Sequence, residues 1–320
     1  MSGRPSRPCG RRRNIRPAAH PSPRRKDSPL DTAHPAGGGA GPWRSAVPGR
    51  PLAASVSFLL HTLAYALLGP DRHCTALECR EEEVPGLLGA LDGSWAGLCP
   101  TSPLKTAAFE AADTVTGVAR DTGAADTPVF SDGAVTAYDT GVLGFAAAPG
   151  EAMRPDTESV LLLEEGAAAC PALMALHVLG PPSAQVAVRG TSGVRRLHEA
   201  AERIGIGIRV HAPGSTQSPR TDPVISTLPG NAVAPAHCLA CPGVAAVDTL
   251  CGSAPLARAV TRAGGRAADG LPVMVAQAAA QVRLLTGQGV PLEEIMPTLG
   301  RAALQGTHRA DGPADALVTE

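Results

Sequence analysis

Aromatic residues and lysine are both scarce in this chain of 320 residues. Aromatic side chains make up only 2% of it, so its hydrophobic cores must be built from Ala, Val and Leu, which bury less area per residue. Hydrophobic residues still account for 44% of the sequence. That content supports real cores, and the length suffices for two ordinary domains.

The sequence also lacks a long apolar run. Its most apolar stretch, residues 52–68, is interrupted by Ser, His, Thr and Tyr. It therefore falls short of the ~20 apolar residues that a membrane span needs. A signal peptide places its charged start directly before its apolar region, whereas about forty residues separate Arg11–Arg13 from this stretch. We expect a soluble cytoplasmic protein with no membrane partner.

Charge divides the chain into two unlike parts. The first 50 residues carry eleven Lys/Arg against two Asp/Glu, whereas the other 270 carry seventeen against twenty-seven. Residues 1–47 are rich in Arg, Pro, Ser and Gly without apolar periodicity, which predicts a disordered basic extension. A nucleic-acid-binding arm is one interpretation. We favour a tail without a specific role, or a start codon assigned too far upstream, because the remainder is net acidic.

The eight cysteines include one C-x-x-C pair, Cys238 and Cys241, with His237 beside it. A structural zinc site needs four ligands and usually two such pairs. Cys251 is a candidate third ligand, but no fourth is evident. We therefore predict no metal site and interpret the cysteines as small apolar residues in a reducing compartment.

From residue 48 onward, short apolar runs alternate with helical stretches, which predicts an α/β fold. Pro149-Gly150 is a plausible domain boundary, so we predict one domain over 48–150 and a second over 151–269. The second repeats the strand–turn–helix unit of a doubly wound, Rossmann-like nucleotide-binding domain. Its predicted strands are 159–163, 185–189, 208–211, 224–227 and 244–248.

Lys105 is the only lysine in the predicted folded region, because the chain has just one other, Lys26. Arginine keeps its proton near neutral pH, whereas the surroundings of a lysine can lower its pKa. Lys105 is therefore a candidate proton donor in catalysis. An ordinary surface lysine is the alternative.

Six segments carry short motifs in a fixed order: 55–61 (SVSFLLH), 95–105 (WAGLCPTSPLK), 123–127 (GAADT), 139–145 (DTGVLGF), 224–229 (VISTLP) and 270–278 (GLPVMVAQA). In this order they resemble motifs of the shikimate dehydrogenase family, which includes quinate dehydrogenases. Each motif is modest alone, but the series in this order is specific. It implies an N-terminal α/β substrate domain, to which a last helix within 270–305 returns, and a C-terminal NADP-binding Rossmann-like domain.

The resemblance also implies roles for individual residues. Ser55 and Ser57 would hydrogen-bond the carboxylate of shikimate, Thr101 would belong to the same substrate site, and Gln277 would bind a ring hydroxyl. Lys105 would move the proton as the ring hydroxyl and the ketone interconvert. A positioned acid–base group of this kind speeds such a step by about 10²–10⁴.

The same resemblance implies NADP as the cofactor. The phosphate loop would be 164–169 (EEGAAA), in which Gly166 keeps the position where backbone must approach the pyrophosphate. Arg189, just after the second predicted strand, would contact the 2′-phosphate of NADP. The cofactor-binding residues implied are Gly166, Ala167, Ala169, Arg189, Thr227 and Gly270.

Several positions depart from the family pattern. The aspartate that normally pairs with the catalytic lysine falls on Gly141, and two family asparagines fall on Asp126 and Asp139. Either carboxylate is a candidate replacement, so both join Lys105 as predicted catalytic residues. Glu164 takes the place of the first loop glycine, where a carboxylate repels phosphate.

We therefore expect NADP-dependent, reversible reduction of 3-dehydroshikimate to shikimate, a step of chorismate and aromatic amino acid biosynthesis. The alternative is a catalytically impaired or non-catalytic relative that binds a small carboxylate. A monomer and a homodimer both remain open.

Overall fold

The computed structural model describes residues 43–50, 52, 55–147, 157–164, 168–181, 183–188, 190, 193–211, 223–228, 242–251 and 254–290. Within these ranges, the chain forms two six-stranded sheets with helices around them. The Leu, Val and Ala side chains that dominate the buried positions build the cores, as the scarcity of aromatics predicts. No helix in the described ranges is long and apolar enough to cross a membrane.

The first sheet has the strand order β2-β1-β3-β5-β6-β4. Its strands are β1 Trp43–Gly49, β2 Arg72–Glu78, β3 Trp95–Leu98, β4 Thr114–Val115, β5 Thr127–Ser131 and β6 Ala134–Tyr138. Its helices are α1 Val56–Leu68, α2 Val84–Ala90, α3 Lys105–Glu110, α4 Gly117–Thr122 and α5 Gly141–Ala147, with a 3₁₀ turn at Glu81–Glu83.

Strand β1 corrects the predicted extent of the basic extension. It runs parallel to both β2 and β3 and lies between them, and Ala46 and Val47 are fully buried. Residues 43–47 therefore belong to the folded domain and not to an extension ending at 47. The Arg-rich composition upstream masked a buried strand, which needs no polar alternation. The earlier residues of the predicted extension lie outside the described ranges.

The second sheet has the order β12-β11-β10-β7-β8-β9 with parallel pairing throughout. Its strands are β7 Ser159–Glu164, β8 Ser183–Val188, β9 Gly207–His211, β10 Val224–Ser226, β11 Ala245–Asp248 and β12 Arg266–Ala268. The helices are α6 Ala169–Leu179, α7 Val194–Ile204 and α8 Pro255–Arg262. Counted within this domain the order is 3-2-1-4-5-6, the Rossmann arrangement, whose ligands bind at the carboxyl ends of the strands on either side of the switch between β7 and β10.

Helix α9, Leu271–Thr286, follows the second sheet and returns to the first domain. Its Val275, Ala278 and Val282 share a core cluster with Leu60 and Tyr65 of α1. The helix ends where Gly287 adopts a left-handed φ of 68°. The helix lies within the predicted range 270–305, and residues 291–305 are outside the described ranges.

Candidate functional site

A hairpin that we did not predict brings two acidic residues together. Asp132 and Gly133, with φ of 52° and 78°, join β5 to β6. The Asp-Gly pair is a known sequence signal for such a turn, and it was available in the sequence. Thr127 of β5 pairs with Tyr138 of β6, so Asp126 and Asp139 occupy the next opposed positions beyond the ladder.

The Asp126 carboxylate is fully buried and surrounded by donors. Its Oδ1 accepts from the Thr127 hydroxyl at 2.7 Å and from both the amide and the hydroxyl of Thr140 at 2.8 Å. Its Oδ2 accepts from the Gly141 amide at 2.7 Å and from Gln277 Nε2 at 2.6 Å. Hydrogen bonds to the charged form favour ionisation. Asp126 is therefore built to hold a negative charge without exposure to water.

Lys105 is the first residue of α3, and a backbone bond fixes that position beside Asp126. The Ala125 amide donates to the Lys105 carbonyl at 2.9 Å. The Lys105 side chain is 12% exposed, and its Nζ lies 3.8 Å from Asp126 Oδ2. This distance makes an ion pair and exceeds that of a hydrogen bond. The one lysine of the folded region is thus held next to an acid yet reachable from outside.

Asp139 has a different environment from Asp126. It is 6% exposed, and its Oδ1 accepts from the Gly141 amide at 3.0 Å. Its Oδ2 is buried and has no hydrogen-bond partner among the described residues. Burial, reinforced by the negative charge of Asp126, raises the pKa of Asp139 to about 8, although Lys105 acts in the opposite direction. Of the two predicted replacement acids, only Asp126 forms an ion pair with Lys105 in the described part of the chain.

Gly141 lies between the two carboxylates. A Cβ atom there would stand 3.0 Å from Asp139 Oδ1 and 3.2 Å from Asp126 Oδ2. Such contacts are tight, so both carboxylates would have to shift by a few tenths of an ångström to admit the aspartate that the family places at this position. Gly141 therefore supplies no acid to Lys105, and the carboxylate beside the lysine comes from Asp126.

The predicted carboxylate-binding serines lie at the start of α1. The Ser55 hydroxyl caps this helix by accepting from the Phe58 amide at 3.3 Å. The Ser57 hydroxyl has no hydrogen bond within the described ranges, while the Ser57 carbonyl accepts from His61 Nδ1 at 2.8 Å. Thr101 donates to the Pro48 carbonyl at 3.2 Å. The substrate-binding roles of Ser55, Ser57 and Thr101 stay predictions.

Two glutamines of α9 donate hydrogen bonds to Asp126. Gln277, which the sequence identified, contacts the Asp126 carboxylate directly. Gln281, which the sequence analysis missed, donates to the Asp126 carbonyl at 2.7 Å and to the Thr127 hydroxyl at 3.2 Å. Residues four apart share one face of a helix, so the spacing was a usable signal. The return helix therefore holds both the side chain and the backbone of Asp126.

The predicted cofactor residues lie where the Rossmann arrangement places a dinucleotide, as far as they are described. Ala169 begins α6 after β7, and within the described residues this helix has no side-chain cap and no acid in its first turn, as suits an end that faces phosphate. Thr227 follows β10 and donates to the Leu163 carbonyl at 3.2 Å. Gly270 packs against Thr249, whose carbonyl oxygen would clash with an added Cβ. These features fit a dinucleotide.

Other predicted cofactor positions cannot be placed in the same way. Gly166, Ala167 and Arg189 lie outside the described ranges, as does the pair Cys238 and Cys241. Glu164 ends β7. In the part of the chain that is described, no group of three or more His, Cys, Asp or Glu side chains could hold a metal ion.

A Rossmann sheet beside a second α/β sheet, with a lysine paired to a buried carboxylate, is the arrangement expected of a two-domain dehydrogenase. A family model described as shikimate dehydrogenase substrate binding domain matches residues 47–127. The shikimate dehydrogenase (NADP(+)) of Oleidesulfovibrio alaskensis is 30% identical over 270 residues, 81% of this chain and 95% of that protein. The chain belongs to the shikimate dehydrogenase family, which confirms the resemblance in its motifs.

Solved structures agree with this assignment. The crystal structure of Mycobacterium tuberculosis shikimate dehydrogenase has a TM-score of 0.72 and 31% identity, covering 82% of this chain and 100% of that one. The enzyme of Thermus thermophilus in complex with NADP(H) and shikimate has a TM-score of 0.64 and 26% identity, with coverage of 82% and 100%. The predicted fold class is confirmed.

Proposed function

We propose that this protein is an NADP-dependent shikimate dehydrogenase, which reversibly reduces 3-dehydroshikimate to shikimate in chorismate and aromatic amino acid biosynthesis. The observation that carries the proposal is the ion pair of Lys105 with the fully buried Asp126, at 3.8 Å. Family membership supports the substrate and the cofactor. Reduction of a ketone needs a hydride and a proton, and the pair is suited to supply the proton.

Bound NADPH supplies the hydride. It would be held by Gly166, Ala167, Ala169, Arg189, Thr227 and Gly270. Arg189 would favour NADP over NAD because its guanidinium would contact the 2′-phosphate.

The residues of the substrate site would bind the substrate and transfer the proton. Ser55 and Ser57 bind the substrate carboxylate through their hydroxyls. Lys105 donates its proton to the carbonyl oxygen as that oxygen becomes the hydroxyl, and in the reverse direction takes it back. Asp126 keeps Lys105 in place and compensates its charge. Gln277 contacts Asp126 Oδ2 at 2.6 Å, so it is also placed to meet a ring hydroxyl beside the pair.

Asp126 also weakens the alternative of an impaired, non-catalytic relative. That alternative depended on Gly141 replacing the usual acid. Because a carboxylate from position 126 lies beside Lys105, the lysine does not lack an acidic partner. Glu164 and Glu165 in the cofactor loop still argue for weakened NADP binding, because carboxylates repel phosphate.

The test is an assay of purified protein with shikimate and NADP⁺, following the formation of NADPH. We expect Lys105→Ala to lower kcat by about 10²–10⁴ while Lys26→Ala, which removes the only other lysine, has no effect. NADPH formation no faster than in Lys105→Ala would overturn the proposal.

We further propose that the protein works in the cytoplasm on this small molecule as a monomer or a homodimer. The role of the family in biosynthesis supports the compartment. Light scattering of the purified chain would distinguish the two assemblies.

A further inference from the structure

Asp126 and Asp139 converge on a single donor. They occupy opposed positions just beyond the β5–β6 ladder, where Thr127 pairs with Tyr138. The Gly141 amide donates to Asp126 Oδ2 at 2.7 Å and to Asp139 Oδ1 at 3.0 Å. Both carboxyl groups are buried. Two like charges sharing one N–H in a dry site repel strongly, so one carboxyl must keep its proton.

The distribution of donors decides which carboxyl that is. Asp126 accepts from Thr127, Thr140, Gly141 and Gln277. Asp139 Oδ1 accepts from the Gly141 amide at the longer of the two distances, and its buried Oδ2 has no hydrogen-bond partner among the described residues, although the Thr122 hydroxyl weakly favours its ionised form. The ionised form is therefore favoured at Asp126 and the protonated form at Asp139.

Three titratable side chains act on the two acids from neighbouring elements. They are Lys105 at the start of α3, His61 in α1 and Cys99 after β3. Burial lowers the pKa of His61 and raises the pKa of Cys99 well above its usual range, so both are neutral near pH 7. The nearby Thr122 hydroxyl donates to the Val118 carbonyl at 3.1 Å. Lys105 is thus the only cation among them.

We propose that Asp139 is a positioning residue that carries a proton while the enzyme works, leaving one negative charge, on Asp126, to pair with Lys105. The proposal deepens the proposed function and rests on it. A protonated Asp139 matches in charge the neutral asparagine that the family places at this position. When Asp139 ionises, a second buried negative charge holds the proton on Lys105 and slows the direction of reaction in which Lys105 must accept one.

Asp139→Asn tests this, because the amide imitates the protonated acid at every pH. We would measure kcat for shikimate oxidation in wild type, in Asp139→Asn and in Asp132→Asn, which alters an exposed acid at the hairpin turn. The ratio of kcat in Asp139→Asn to kcat in wild type should rise by at least about tenfold from about pH 6 to about pH 10, as expected from removing one nearby buried charge. The same ratio for Asp132→Asn should stay constant.

A ratio between Asp139→Asn and wild type that stays constant with pH would overturn the proposal. Infrared spectroscopy gives a readout independent of catalysis. The difference spectrum of wild type minus Asp139→Asn should show the C=O stretch of a carboxylic acid at about pH 6 and carboxylate bands at about pH 10. Carboxylate bands at both values would refute a protonated Asp139, even if shikimate proved not to be the substrate. An acid band without turnover would instead uphold the protonation and reject the proposed function.

Discussion

Replacing Asp139 by Asn should make the protein's stability less dependent on pH. The pKa of this carboxyl is raised from 3.8 to about 8 in the folded state, chiefly by burial. A raised acid pKa means that the folded protein holds a proton which the unfolded chain releases. The stability associated with this group is therefore fully present below about pH 4 and is lost as pH rises through about 8.

The size of the effect follows from that interval. Between 3.8 and 7 lie about three pH units, each worth about 1.4 kcal/mol, so folding at pH 7 carries a cost of about 4 kcal/mol from this group. Asn does not titrate, and its side-chain oxygen can still accept from the Gly141 amide. Asp139→Asn should then gain stability relative to wild type by that amount between about pH 4 and pH 7.

Urea unfolding of both proteins at several pH values from about 4 to about 9 measures this difference. Because the two proteins share every other titrating group, the contributions of those groups to the free energy of unfolding cancel in the difference. The advantage of Asp139→Asn should grow with pH up to about 8 and then level off. A difference that is the same at every pH would show that Asp139 has an ordinary pKa, and the argument from its buried, unpartnered Oδ2 would be wrong.

Three further predictions concern the rest of the site. Ser57→Ala should raise KM for shikimate without changing the free energy of unfolding, whereas Ser55→Ala should also destabilise the protein by about 1 kcal/mol, since it removes a helix cap; kinetics and urea unfolding together separate the two. Gly141→Asp should not restore the family arrangement but should lower stability by about 1–3 kcal/mol and reduce kcat, because its Cβ meets two carboxylates; a faster variant would contradict the geometry around Asp126. Arg189→Ala should weaken NADP binding while leaving NAD binding unchanged, and calorimetry that found equal losses would exclude contact with the 2′-phosphate.

Two of the predicted site residues, Lys105 and Gln277, lie next to Asp126 in the structure. Lys105 was identified because lysine is nearly absent elsewhere, and Gln277 because its motif follows five others in order. The Rossmann-like domain was predictable from strand–helix alternation, since buried parallel strands read as short apolar runs between helices. β1 was missed for the complementary reason, because the Arg-rich segment before it hid a strand whose partners are far away in sequence.

What the sequence alone determined is which residue types are available: one lysine after position 26, two acids where the family has asparagines, and a glycine where the family has an acid. It could not choose between Asp126 and Asp139, because each stands next to a threonine in a similar motif. The tertiary structure makes that choice. The β5–β6 register sets the two acids opposite each other, and α9 returns with Gln277 to satisfy Asp126 alone. Charge state in a buried site depends on how many donors reach each oxygen, and those donors come from segments up to 151 positions apart.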